Sequence, residues 1–291
     1  MSILFATLAA FSNAVTVVTQ HVASTAVPPS DQGWRLARSL ARSPLWLAGV
    51  GAMVAAFVCQ SLALYHGRLS VVQAILVSQL VFSLVIARLW LRQPVRASAW
   101  VWASVTCLGL VVFLAMREPQ GGHAAPTTAA WAPAIAATTA LAVVLTLLAA
   151  HGSPVRRAAL YAAASGVVWA MMATFLKSAT DVLGAHGAPA LFSHAAIYAV
   201  AAAGIVGIVL TQAALHYGPL GVSQPLMVIV NPVVSIALGV WIYGEQFAPE
   251  PLLIAAGVLG FATMAIGVVF LSRAAPSFEA HQPSPVSAGR E

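Results

Sequence analysis

Apolar blocks about 20 residues long, separated by short polar stretches, run through almost the whole chain. A helix of about 20 apolar residues is what crosses the hydrocarbon core of a bilayer. The pattern predicts spans near 2–23, 45–66, 69–91, 98–116, 130–150, 158–177, 195–216, 221–243 and 251–272. His66-Gly67-Arg68 separates the second span from the third. The charge-free stretch from Val182 to Gly244 is too long for one helix, and Tyr217-Gly218-Pro219-Leu220-Gly221 supplies a turn inside it. Segment 31–44 is too short to cross. Its Arg35, Arg38 and Arg42 recur at helical spacing, offset from Trp34, Ala37 and Leu40, as in a short amphipathic helix on the cytoplasmic surface. The tail over 274–291 is rich in Pro and Ser and reads as a disordered cytoplasmic end.

Composition excludes a soluble fold. Hydrophobic residues make up 60% of the chain and charged residues 7%, against about 25% charged in soluble domains. The fold class is therefore an all-α membrane protein, multi-pass, with the bilayer as its solvent. The net charge of +6 does not signal nucleic acid, because the basic residues lie between apolar blocks. With nine spans, Arg35, Arg38, Arg42, Arg92, Arg96, Arg156, Arg157, Arg273 and Arg290 fall on one side. Arg68, Arg117 and Lys177 fall on the other, and Arg88 lies in a span toward the richer side. The positive-inside rule then puts the N-terminus outside and the C-terminus in the cytoplasm of a plasma (inner) membrane. Trp34, Trp46, Trp90, Trp100, Trp102, Trp131 and Trp241 fall near span ends, as an interfacial belt does. Cys59 and Cys107 lie in apolar stretches and read as packing residues. The apolar start directly after Met1, with no basic n-region, argues against a cleaved signal peptide.

One phrase occurs twice. Gly67-Arg68-Leu69-Ser70-Val71-Val72-Gln73 returns as Gly218-Pro219-Leu220-Gly221-Val222-Ser223-Gln224, and the same offset carries Trp90 onto Trp241. Gln60 with Tyr65 parallels Gln212 with Tyr217, with one residue of slippage. This divides the chain into a first repeat over 1–117, a linker over 118–157 that holds one helix, and a second repeat over 158–273. An odd helix between two four-helix units inverts the second unit. Inverted repeats underlie many secondary transporters, because two similar halves exchange outward-open and inward-open arrangements at comparable energy.

Gln224-Pro225-Leu226, Asn231-Pro232-Val233-Val234, Gly244-Glu245 and the glycines Gly257, Gly260 and Gly267 of the last span resemble the C-terminal half of EamA-like proteins of the drug/metabolite transporter superfamily. Gln73 to Arg92 looks like a diverged copy. The paired Gly-x-Leu-x-Val-x-Gln phrases also resemble the NIPA-type magnesium transporter branch. The resemblance implies an inverted-repeat bundle around a central cavity that moves small molecules by alternating access. There are two departures. Such proteins usually have ten spans rather than nine, and Leu91-Arg92-Gln93 stands where the second half has Tyr243-Gly244-Glu245.

No Asp or Glu lies inside an expected span; Asp181 and Glu245 sit at outer ends. A relative of the small multidrug resistance type would depend on a carboxylate in its first helix, where this chain offers Asn13, Gln20 and His21. Dehydrating Mg²⁺ calls for oxygen ligands, preferably carboxylates, so buried amides favour a neutral, zwitterionic or amphiphilic organic substrate. Amides in hydrocarbon bond between helices or face a wet cavity. Asn13, Gln79 and Asn231 fall near mid-span, and Gln60, Gln73, Gln212 and Gln224 lie toward span ends. All seven are candidate cavity residues. Gln60 with Gln73, and Gln212 with Gln224, read also as interhelical bonds. Trp169 at mid-span either floors a cavity or packs. Pro232 frees a carbonyl and permits a bend, as a gate or as a static kink. His21 and His216, near cytoplasmic ends, are candidates for proton coupling or for capping. Tyr65, Tyr217 and Tyr243 read as interfacial anchors, and Lys177 with Asp181 as a surface pair.

The leading expectation is a secondary transporter of a small organic metabolite or drug-like compound. Export is the direction that the resemblance implies. The alternatives are a magnesium or other cation pathway and a non-transporting membrane assembly protein. No catalytic constellation points to an enzyme, and no cofactor or metal site is expected. The partners are a small-molecule substrate and the lipid bilayer, not nucleic acid. Two fused halves allow a monomer or a homodimer.

Overall fold

The computed structural model describes residues 1–25, 42–90, 92, 95–115, 128–217, 220–245 and 250–274. The expected surface helix over 31–44 and the tail beyond 274 lie almost wholly outside these residues. Every regular element among the described residues is an α-helix. They are α1 (Ser2–Thr25), α2 (Pro44–His66), α3 (Leu69–Leu76), α4 (Gln79–Leu89), α5 (Ala97–Ala115), α6 (Thr128–Ala149), α7 (Pro154–Ser193), α8 (Ala195–Tyr217), α9 (Leu220–Tyr243) and α10 (Pro251–Ala274). Helices α3 and α4 together form one candidate span, Leu69–Leu89, so nine segments among the described residues are long and apolar enough to cross a membrane.

Local chemistry sets several boundaries. Ser43 accepts a hydrogen bond from the Trp46 amide at 3.4 Å, and Pro44 occupies the first turn of α2. Ser153 and Pro154 start α7 in the same way. A side-chain oxygen satisfies an amide that has no partner in the first turn, and proline gives up no bond there.

The expected sixth span, 158–177, is too short. Helix α7 holds 40 residues and passes straight through Lys177 and Asp181. No strong breaker occurs until Gly187, whose φ of 77° and ψ of 178° interrupt the helix. At about 1.5 Å per residue the segment exceeds the roughly 30 Å hydrocarbon core well before that point.

Helix α1 lies against α2, α3 and α4. Helix α7 lies against α8, α9 and α6. Helix α5 runs along α10, and α3 touches α9. The α5–α10 contact is close because glycines face each other. A Cβ on Gly109 would lie 2.3 Å from the Met264 amide nitrogen, and one on Gly260 would lie 2.7 Å from that of Phe113. Backbones approach this closely in lipid because packing, not water exclusion, joins the helices.

The largest buried cluster takes in Ala10, Leu64, Leu69, Val72, Ile75, Met171, Leu176, Leu238 and Tyr243. It thus draws on α1, α2, α3, α7 and α9. The exposed surface is apolar in turn, with Leu108, Leu147, Val209 and Val258 all open. Lipid is the solvent such a surface fits.

Candidate functional site

Two features interrupt the helices at the centre of the bundle. The first lies between α3 and α4. The Val77 amide donates to the Ala74 carbonyl at 3.2 Å, the Ser78 amide to Ile75 at 2.9 Å, and the Leu80 amide to Val77 at 3.2 Å. These bonds reach back three residues, so the chain tightens into a 3₁₀-like turn at mid-span. The second is in α9, where Pro225 and Pro232 both lie inside the helix. Pro232 has no amide hydrogen, so the carbonyl four residues back, at Val228, loses its helical donor.

Gln73 on α3 is 2% exposed, and neither its side-chain oxygen nor its nitrogen has a hydrogen-bond partner. The expected bond between Gln60 and Gln73 is therefore absent. A buried amide group left unsatisfied costs about 1–3 kcal/mol, and such groups mark places where water or a ligand supplies the partner.

The other candidates are spread around this point. Asn13 on α1 and Gln79 at the start of α4 are half-buried, and α1 packs against both α3 and α4. Gln60 is half-buried on α2. Asn231 is half-buried; its side-chain oxygen accepts from Ser235 Oγ at 3.2 Å, within its own helix. Gly166 of α7 faces it, since a Cβ there would lie 3.3 Å from the Asn231 amide nitrogen. Pro232 is buried next to it. Gln212 is exposed on α8 and does not join the group. The side chains of His21, His216 and Gln224 lie outside the described residues.

Trp169 is tied to α8. Its indole nitrogen donates to Thr211 Oγ1 at 3.1 Å, and Ser165 Oγ bonds the same hydroxyl at 2.7 Å. Its ring rests on Gly207, where a Cβ would lie 3.0 Å from Cε2. Helix α8 packs mainly on α7, so Trp169 faces the flank of the bundle.

A second polar group lies at one end of the bundle, and its residues were read differently from sequence. Glu245, just past α9, is 2% exposed. Its Oε1 accepts from the Leu69 amide at 2.6 Å and its Oε2 from the Ser70 amide at 3.3 Å, and Ser70 Oγ donates to Oε2 as well. A carboxylate thus caps the first turn of α3, where amides lack helical partners and the helix dipole favours negative charge.

Two glycines allow this. Gly244 turns the chain at a φ of 59°. Gly239 lets the side chain fold back, since a Cβ there would lie 2.7 Å from Glu245 Oε2.

Tyr243 is 2% exposed and donates from its hydroxyl to the Thr174 carbonyl at 2.9 Å, so it is a buried link and not an interfacial anchor. Trp131, near the start of α6, stacks on Phe175 with centroids 5.6 Å apart. Lys177 is not half of a surface pair. It is 8% exposed, donates to the Leu64 carbonyl at 3.2 Å, and places its amine 5.2 Å from the Tyr243 ring centroid. Asp181 lies 3.4 Å from the same amine with its side chain 41% exposed. The length of α7 makes Lys177 an interior residue facing α2.

The opposite end is simpler. The Arg157 guanidinium lies 3.7 Å over the Tyr217 ring and donates to the Ala149 carbonyl at 3.0 Å. Among the described residues no three His, Cys, Asp or Glu side chains gather as a metal site.

No family model matches the chain, and no solved structure matches it. An uncharacterized protein of Corynebacterium glutamicum is 26% identical to it over 249 residues, covering 85% of this chain and 86% of that relative. The likeness therefore runs through both halves of the helical array.

Proposed function

We propose that the protein is a secondary transporter that moves a small organic metabolite or drug-like compound by alternating access. The observation that carries this reading is the matched interruption of two central spans. Under the offset that relates Gln73 to Gln224, the tightened turn at Val77 corresponds to Val228, the carbonyl that Pro232 deprives of its donor. Discontinuous helices in corresponding positions of two halves are where transporter sites form.

The packing supports an inverted repeat. Helix α1 with α2 corresponds to α7 with α8, α1 with α3 and α4 corresponds to α7 with α9, and α5 meets its counterpart α10. Directions support it too. Ser2, at the start of α1, donates to Ala63 at the end of α2, and Lys177, deep in α7, donates to the neighbouring Leu64. The starts of α1 and α7 therefore lie at opposite ends. With the positive-inside rule, the Glu245 end faces outward and the Arg157 end faces the cytoplasm of the plasma membrane. Membership of the EamA-like group, and export as the direction, are part of the same proposal.

The test is a proteoliposome screen, with a metabolite mixture read by mass spectrometry. Wild-type protein depletes or accumulates at least one compound, and Gln73→Leu reduces that rate by about tenfold or more, the loss of one good polar contact. The same variant gains about 1–2 kcal/mol of stability, because the unsatisfied amide is gone. Opposite signs for activity and stability distinguish a binding group from a structural one. A full screen without movement of any compound, in either direction and with or without a proton gradient, overturns the reading.

A further inference from the structure

The Glu245 clamp holds the start of α3 at one end of the bundle, so α4 finishes at the other. Helix α10 begins at the Glu245 end too, just after Glu250. Helix α5 runs antiparallel to it, with Gly109 against Met264 and Thr106 against Gly267. The end of α4, the start of α5 and the end of α10 therefore share the end opposite Glu245. Their apolar residues meet there: Leu84, Ala99, Ala103 and Leu271 form one buried cluster, with Trp102 packed against it.

Arginines surround this cluster. Arg88 lies one turn beyond Leu84, Arg96 just before Ala99, Arg273 just after Leu271, and Arg92 in the connection between α4 and α5. All of them are exposed. The described acids, Asp181, Glu245 and Glu250, belong to the other end. Positive charge is thus concentrated at a corner where no described carboxylate offsets it. Arg157, at the same end, differs, because its guanidinium is engaged by the Tyr217 ring and the Ala149 carbonyl. Arg92 also sits at a φ of 51°. A left-handed backbone costs a residue with a side chain about 1–2 kcal/mol, and such positions cluster where the side chain has a task.

The surface next to these charges is apolar. Val101 and Leu108 on α5, and Ile266 and Phe270 on α10, are exposed. Trp102 stacks on Phe270 with centroids 4.3 Å apart, and the Arg273 guanidinium lies 5.7 Å from the same Phe270 ring. Aromatic rings at span ends mark the level of the lipid headgroups.

Guanidinium groups at headgroup depth, beside a lipid-facing apolar wall, fit one kind of ligand. A phosphate diester brings a negative charge and oxygens that guanidinium forks bind in pairs. Its acyl chains lie along α5 and α10. A choline headgroup would bring a further cation to a corner already crowded with them. We propose that this corner binds the phosphate of an anionic phospholipid, and that the bound lipid ties the end of α4 to α5 and α10. The site stands apart from Gln73 and needs no assumption about transport.

The test uses the full chain and two probes with the same acyl chains, phosphatidylglycerol and phosphatidylcholine. Native mass spectrometry from detergent shows phosphatidylglycerol retained more tightly than phosphatidylcholine. Arg88→Gln, Arg92→Gln and Arg96→Gln each weaken that binding by about fivefold, the worth of one basic group near an anionic lipid, and the triple variant loses it. Arg156→Gln, exposed at the same end but on α7, leaves it unchanged. Each single variant keeps the wild-type unfolding temperature in phosphatidylcholine nanodiscs, which separates lost binding from lost folding. Phosphatidylglycerol raises that temperature for the wild type and not for the triple variant.

Equal retention of the two lipids overturns the proposal. So does an equal loss in Arg156→Gln, which makes the attraction a property of the whole basic end. Inorganic phosphate that raises the unfolding temperature as far as phosphatidylglycerol does assigns the corner to a free anion, and overturns the lipid.

Discussion

Arg92 and Gly244, each just past a helix, take a similar left-handed φ with different side chains. Both residues take a left-handed backbone, with φ of 51° and 59°. Both follow a span that carries a half-exposed Trp near its end, Trp90 or Trp241. After Gly244 the chain delivers a buried carboxylate to α3. After Arg92, itself exposed, comes a glutamine instead. The two positions share a left-handed φ, and among the described residues it is the carboxylate after Gly244 that reaches across the bundle to α3. The same phrase in the chain thus leads to different chemistry at its two occurrences: a buried carboxylate on α3 after Gly244, and an exposed Arg92.

Three substitutions test this contrast, in order of expected effect. Glu245→Leu leaves the Leu69 and Ser70 amides and the Ser70 hydroxyl buried without their acceptor. At about 1–3 kcal/mol per unsatisfied group, thermal unfolding in detergent should show a loss on the order of 3 kcal/mol. A change within 0.5 kcal/mol, the scatter of neutral surface changes, would remove the clamp from the comparison. Gly244→Val places a β-branched residue at a positive φ and costs about 2 kcal/mol in the same assay, with the turn strained and the carboxylate misdirected. Arg92→Gly works in the other direction: it relieves the left-handed strain and stabilises by about 1 kcal/mol. A destabilisation there would mean that the Arg92 side chain does structural work comparable to that of Glu245, and that the two ends are more alike than their sequences.

Much of the framework was legible beforehand. The nine segments follow from apolar length, and the boundary at His66-Gly67-Arg68 lies where α2 ends and α3 begins. The site was less legible. Gln73 was among eight candidates, and nothing in its neighbours along the chain separates it from Gln212, which turns out exposed. A charge marks the expected end of a span at Lys177, yet the helix runs on and sets its amine against a carbonyl of α2. Glu245 was noticed in the pair Gly244-Glu245, a glycine turn followed by an acid, but its partners could not be read from that pair.

The amino-acid sequence by itself determined that this chain is an array of membrane-crossing helices, and where most of them begin and end. The reason is that hydrocarbon enforces a length and a composition on each span separately. Tertiary structure alone decided which polar groups meet. A helix buries whichever face its neighbours cover, and in a chain this apolar nearly every face is a candidate. Gln73 became the unsatisfied amide through the arrangement of α1, α3, α7 and α9, and Gln212 an exposed one through the way α8 lies on α7. The bond between Glu245 and Ser70 exists because packing brings together two segments that local periodicity could not relate.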